Sequence, residues 1–179
     1  MRLAARCSYF ATPLFIIHVA TFSIQANRNP TLANMPSDAI AIAVLALARN
    51  AVVAPVIGTL PSAGWARIAG YTWLIGDLLS ELTQVGGASK SLYLTLRLVA
   101  PMLAALWISA TSARMDGPVK SIGYVVAGLL LAYSLASTLT PAAFILAILG
   151  LMLLPLWFGL IHRRLDQLLT PAPTAANPS

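Results

Sequence analysis

The sequence is poor in charge, in histidine and in cysteine. Eleven Lys or Arg and five Asp or Glu make up only 9% of its 179 residues, where an average soluble domain carries about 25%. A soluble globule of this size must cover its whole surface with polar side chains, and so few cannot do that. The hydrophobic share of 59% is equally far from a disordered chain. The net charge of +6 would ordinarily raise nucleic acid as a partner. Here the basic residues stand singly between apolar runs, with no cluster longer than Arg163-Arg164. They read as determinants of membrane topology, and no nucleic-acid partner is expected.

The single cysteine, Cys7, rules out an intrachain disulfide and a cysteine metal site. Arg6 before it, and an apolar run after it, argue against a lipoprotein site. The two histidines, His18 and His162, fall at opposite membrane faces, and no His-Glu-x-x-His pattern is present. No P-loop, G-x-G-x-x-G or G-x-S-x-G elbow occurs either. No metal and no cofactor is therefore expected, and no catalytic residue is assigned. Gly76-Asp77 echoes one dipeptide of intramembrane aspartyl proteases, but the rest of that motif and a second membrane aspartate are missing. An intramembrane enzyme is the weakest of the readings.

What the chain does have is long apolar runs. Spanning about 30 Å of hydrocarbon takes about 20 helical residues. Six segments are candidates on that ruler, at about 8–25, which is short and partly polar, 38–60, 63–84, 91–112, 119–138 and 142–163. The expected fold is all-α: a single polytopic transmembrane bundle of six helices over 1–169, its partner the lipid bilayer. Short connections rich in Gly, Pro, Asn or Ser join the segments, and the proline-rich tail 170–179 reads as disordered. The first segment has an alternative as a cleaved signal peptide, with Arg2 and Arg6 as its charged flank. Ile24 and Ala26 make a poor cleavage site for it.

With the N-terminus in the cytoplasm, that side collects Arg2, Arg6, Arg67, Arg114, Lys120, Arg163 and Arg164. The other side collects Arg28 and Lys90. The bias follows the positive-inside rule and supports an even number of spans, both termini inside. The arginine-over-lysine usage and the many alanines suit a bacterial inner membrane. Trp65, Tyr71, Tyr93 and Trp157 fall near segment ends, where interfacial aromatics collect.

Charged side chains within hydrocarbon cost about 2.5–3.5 kcal/mol each on insertion scales, so each calls for a partner or water. His18, Arg49, Asp77, Glu81 and Arg97 are the residues concerned. Asp77 and Arg97 fall at matching depths, roughly 10 Å and 9 Å from the outer boundary at 1.5 Å per residue. They lie on consecutive antiparallel helices, so an Asp77–Arg97 ion pair is expected. Along the third helix Arg67, Gly70, Trp73, Asp77, Ser80, Glu81 and Gln84 recur at helical spacing and share a face. Ile68, Ile75, Leu78, Leu79 and Leu82 form the other. The polar stripe should face the interior or a water-filled cavity, with Trp73 able to stack on a ligand.

Pro55, Pro101 and Pro155 each free a carbonyl four residues back, the first two beside the buried charges. The fifth and sixth helices read as lipid-facing scaffold. Two functions follow. The first is binding or passage of a small polar solute or a proton through a polar cavity between helices 1–4, lined by His18, Arg49, Trp73, Asp77, Glu81 and Arg97. The second is a non-catalytic accessory or scaffold subunit that pairs with a partner membrane subunit, or with its own copies, and in which the charges serve only to hold the bundle together.

Overall fold

Side chains of long aliphatic runs bury best as helices in lipid, because a helix satisfies its own backbone. The computed structural model describes residues 1–27, 36–85, 90–137, 139–140 and 143–169. It is all-helical: α1 (Arg2–Asn27), α2 (Pro36–Thr59), α3 (Gly64–Val85), α4 (Lys90–Ser112), α5 (Gly117–Ala136) and α6 (Phe144–Leu169). Arg28 and the tail 170–179, on which expectations also fell, lie outside the described residues. All the helices except α3 are long and apolar enough to cross a membrane. α3 is long enough as well, but its polar residues, Asp77 and Glu81 among them, lower its hydropathy.

Two helices run further than their apolar cores. α1 begins at Arg2 rather than at residue 8, and Ala4 and Ala5 in that extra length are buried. α6 continues past Arg163-Arg164 to Leu169, because Ile161 and Leu165, one turn apart, both bury on the same face. Trp157 therefore lies in the body of α6, not near its end. It is fully buried and its indole N–H donates to the Val119 carbonyl at 3.1 Å, so it is a core residue and no interfacial anchor. Trp65 and Tyr71 are exposed. Gly117 takes φ +62°, a left-handed conformation that suits glycine, at the turn from α4 into α5.

Each helix packs on its two neighbours in sequence, and α6 closes back onto α1. The result is a ring of six antiparallel helices. In a hexagon of helices spaced about 8–10 Å apart the axis is as far from every helix as the helices are from each other. Small side chains cannot fill that lumen to protein density. Five aromatic rings do so at mid-height. Phe15 of α1 stacks on Trp73 of α3 (6.5 Å) and on Phe158 of α6 (5.2 Å). Trp73 stacks on Trp107 of α4 (5.8 Å), and Trp107 meets Trp157 edge-on (5.4 Å).

The outside of the ring is apolar on every helix, with Ile16, Val44, Ile75, Val99, Leu135 and Met152 all exposed. A belt of this extent is what a lipid-facing surface requires. α3 takes part in it: Ile68, Ile75, Leu79 and Leu82 face out while Trp73, Ser80 and Glu81 are buried. Arg67, grouped by spacing with the inward stripe, is exposed, because it sits within the first turn of α3 where the ring ends. The side chain of Gln84 lies outside the described residues. Arg2, Arg6, Arg114, Lys120, Arg163 and Arg164 are exposed with Arg67 at the same end of the ring, hereafter the basic end.

The α1–α6 seam that closes the ring holds by few polar contacts. His162 Nδ1 lies 2.9 Å from the Ala5 carbonyl, and its ring packs on Tyr9. The Thr12 hydroxyl lies between the Ser8 carbonyl (3.4 Å) and the Pro155 carbonyl across the seam (3.3 Å). Thr12→Val keeps the shape and removes the donor. It should cost about 0.6 kcal/mol, the average for an interhelical hydrogen bond in a membrane protein. Reversible unfolding in mixed micelles would measure it, and a loss several times larger would mean that the seam depends on this contact.

Candidate functional site: a charged cavity inside the ring

The half of the lumen away from the basic end is not filled. It holds a cavity with about 80 Å³ open to the centres of water-sized groups. His18, Arg49, Trp73, Asp77, Glu81 and Arg97 all line it. Each of these stands out in the sequence by its cost in hydrocarbon or its place on the α3 stripe, and the ring brings all six to one space. Phe15 and Trp73 belong both to the cavity wall and to the aromatic layer, so that layer is its floor.

Depth along the helices explains the order of the charges. Asp77 lies eight residues before the end of α3, about 12 Å at 1.5 Å per residue, and Glu81 lies one turn nearer that end. Arg97 lies seven residues into α4, about 10 Å deep. Arg49 lies thirteen residues into α2, about 20 Å down. Pro101, one turn beyond Arg97, also lines the cavity.

The ion pair differs from the expected one. Among the described residues Asp77 pairs with Arg49 of α2, where Arg97 was the expected partner. Matching backbone depths favoured Arg97, but α3 has two ring neighbours, α2 and α4, and a long arginine side chain can climb from a deeper position. The Arg97 guanidinium donates to the Tyr93 hydroxyl one turn back (2.9 Å) and lies over the Tyr93 ring, 5.6 Å from its centroid. Arg49 is 1% exposed and its guanidinium lies 5.3 Å from the centroid of the Phe15 ring. Its Nε has no hydrogen-bond partner among the described residues. Beside it, Asn50 donates to the Leu74 carbonyl at 2.8 Å, a second tie between α2 and α3.

Helices α5 and α6 contribute more than lipid-facing scaffold. Leu130 and Tyr133 of α5 and Ala147, Leu151 and Leu154 of α6 complete the wall. The cavity is thus built by all six helices, not by helices 1–4 alone. No sequence signal separates these residues from lipid-facing ones, except that closing a ring forces every helix to show one face to the lumen.

Within the aromatic layer and below it, towards the basic end, three further polar atoms are buried without hydrogen-bond partners among the described residues. They are Trp107 Nε1, Thr111 Oγ1 and Ser112 Oγ, all on α4. Trp107 and Thr111 lie one turn apart. Among the described residues no group of three or more His, Cys, Asp or Glu side chains is placed to hold a metal ion.

No protein-family model, no curated protein and no solved structure matches this chain. The reading of its function rests on the site alone.

Proposed function

We propose that this is a six-span protein of a bacterial inner membrane, with both termini on the basic, cytoplasmic side, that binds or passes a small polar solute or a proton. The observation that carries this reading is the gathering of five ionisable side chains from four helices around one cavity inside a ring whose outside is apolar. Lipid contact rewards none of them. The outward apolar face of α3 supports its being the sixth span, since a helix with its polar stripe turned inward needs no high overall hydropathy to cross. The aromatic layer is then the barrier any passing species must open, and the unpartnered hydroxyls of Thr111 and Ser112 on α4 lie on its far side. The Arg49–Asp77 pair favours the rival reading, a scaffold subunit whose charges only lock α2 to α3.

Thiol labelling tests the arrangement. In a Cys7→Ser background, Pro61→Cys and Arg114→Cys should react only from the cytoplasmic side, and Gly87→Cys and Leu139→Cys only from the other. Reaction of Pro61→Cys and Gly87→Cys from one side would mean that α3 does not cross. Passage is tested in proteoliposomes carrying an internal pH dye and suspended in small polar solutes. Swelling or proton leak faster than in protein-free vesicles is expected. Rates equal to those of protein-free vesicles, with no reagent able to reach the cavity, would leave the scaffold reading.

A further inference from the structure

We infer that the solute is a small zwitterion, a molecule of about five to eight non-hydrogen atoms that carries one carboxylate and one ammonium group. This rests on the reading of the cavity as a ligand site and names the ligand class. Size sets the first bound. At roughly 10–15 Å³ for each water-sized group, 80 Å³ holds about five to eight of them.

Charge sets the second. Apart from the titratable His18, the charged side chains of the wall are Arg49 and Arg97 against Asp77 and Glu81, which sum to zero. A lone anion or cation entering would leave a net charge in a low-dielectric space, where unbalanced charge is costly. A solute with both signs adds none. Both of its ends find a complement in the wall. The buried, unpartnered Arg49 Nε is a donor for a carboxylate oxygen. Glu81, 5% exposed and one turn nearer the C-terminal end of α3 than Asp77, is an acceptor for an ammonium group.

The rest of the wall sets the third. His18, Ser80 and Tyr133 carry its remaining polar atoms, while Phe15, Trp73 and Leu154 are apolar, and Ala100, Ala104 and Ala147 leave room without offering a hydrogen bond. A short hydrocarbon substituent fits the apolar part of that surface, where a further polar group would lose its hydration with little in return.

Thermal unfolding of the purified full chain in detergent tests this, with alanine, propionate and ethylammonium as probes at equal concentration and ionic strength. Alanine should raise the midpoint in a concentration-dependent way, and the two single-charge analogues should not. Arg49→Gln should abolish the shift. Because that variant loses half of an ion pair and can fail to fold, Ala147→Leu is the second one: it keeps every charge, fills the space, and should also abolish the shift. A separate measurement, labelling of Ser80→Cys by a membrane-impermeant thiol reagent from the side opposite the basic end, reports whether the cavity is reachable at all.

If propionate or ethylammonium stabilises as well as alanine does, the zwitterion inference is overturned while the ligand site stands. A labelled Ser80→Cys with no shift from alanine has the same meaning. An unlabelled Ser80→Cys with no shift from any probe overturns both.

Discussion

Asp77→Asn should be the most damaging conservative change in this protein, lowering folding stability by about 3–5 kcal/mol, the usual cost of removing one partner from a buried ion pair. The substitution keeps the size of the side chain and removes only the charge. What it leaves behind is the Arg49 guanidinium, 1% exposed, in the lumen of a helical ring. Arginine cannot shed its proton to escape that position. Arg49→Met should cost less, because the orphaned group is then Asp77, whose side chain keeps 21% of its surface open. The double variant Asp77→Asn with Arg49→Met should recover a large part of the loss, since removing both charges of a buried pair is often close to neutral. Asp77→Asn with Arg97→Gln should show a much smaller recovery. Unfolding in mixed micelles measures all of these variants. Equal rescue by Arg49→Met and Arg97→Gln would show that the cavity charges act as one pool and not as the pair Arg49–Asp77.

That the partner is Arg49 marks the limit of what spacing can report. The two faces of α3 were legible, because residues three and four apart share a side of a helix and Ile75, Leu79 and Leu82 separate cleanly from Trp73, Ser80 and Glu81. The rest of the cavity list was legible because charge inside an apolar run is costly and so identifies itself. Which carboxylate meets which arginine depends on the order of helices around the ring and on side-chain reach, and neither is written in periodicity. The wall residues Leu130, Ala147 and Leu154 were not legible for a different reason. An apolar residue looks the same in sequence whether it touches lipid or lumen, since both are apolar surroundings. Tyr133, buried in α5, carried a faint signal as a polar tip in an apolar helix. The true extent of α6 was hidden by Arg163-Arg164, which read as the end of the span, although Leu165 continues its buried face.

Gly123→Ala should cost at least the 1–3 kcal/mol typical of an overpacked core, and it acts at a place without charge. A methyl group added there would run into the Ser112 hydroxyl and lie 2.6 Å from Trp157 Nε1 and 2.9 Å from Ser112 Cβ. The hydroxyl alone could rotate away, but the other two atoms cannot. Ser112 Cβ is fixed to the backbone of α4. The Trp157 indole is held by its bond to the Val119 carbonyl and packs edge-on against Trp107, a ring of the layer that floors the cavity. Glycine at this position therefore sets how closely α4, α5 and α6 approach, and through Trp157 it supports the aromatic layer. The variant should shift the tryptophan near-ultraviolet signal as well as lower stability. Ser112→Gly in the same chain removes two of the three clashing atoms, so the double variant should be more stable than Gly123→Ala alone. A double variant as unstable as the sum of the two single changes would show that the strain lies wholly against Trp157, and that the aromatic layer, not the α4–α5 contact, fixes the spacing of these helices.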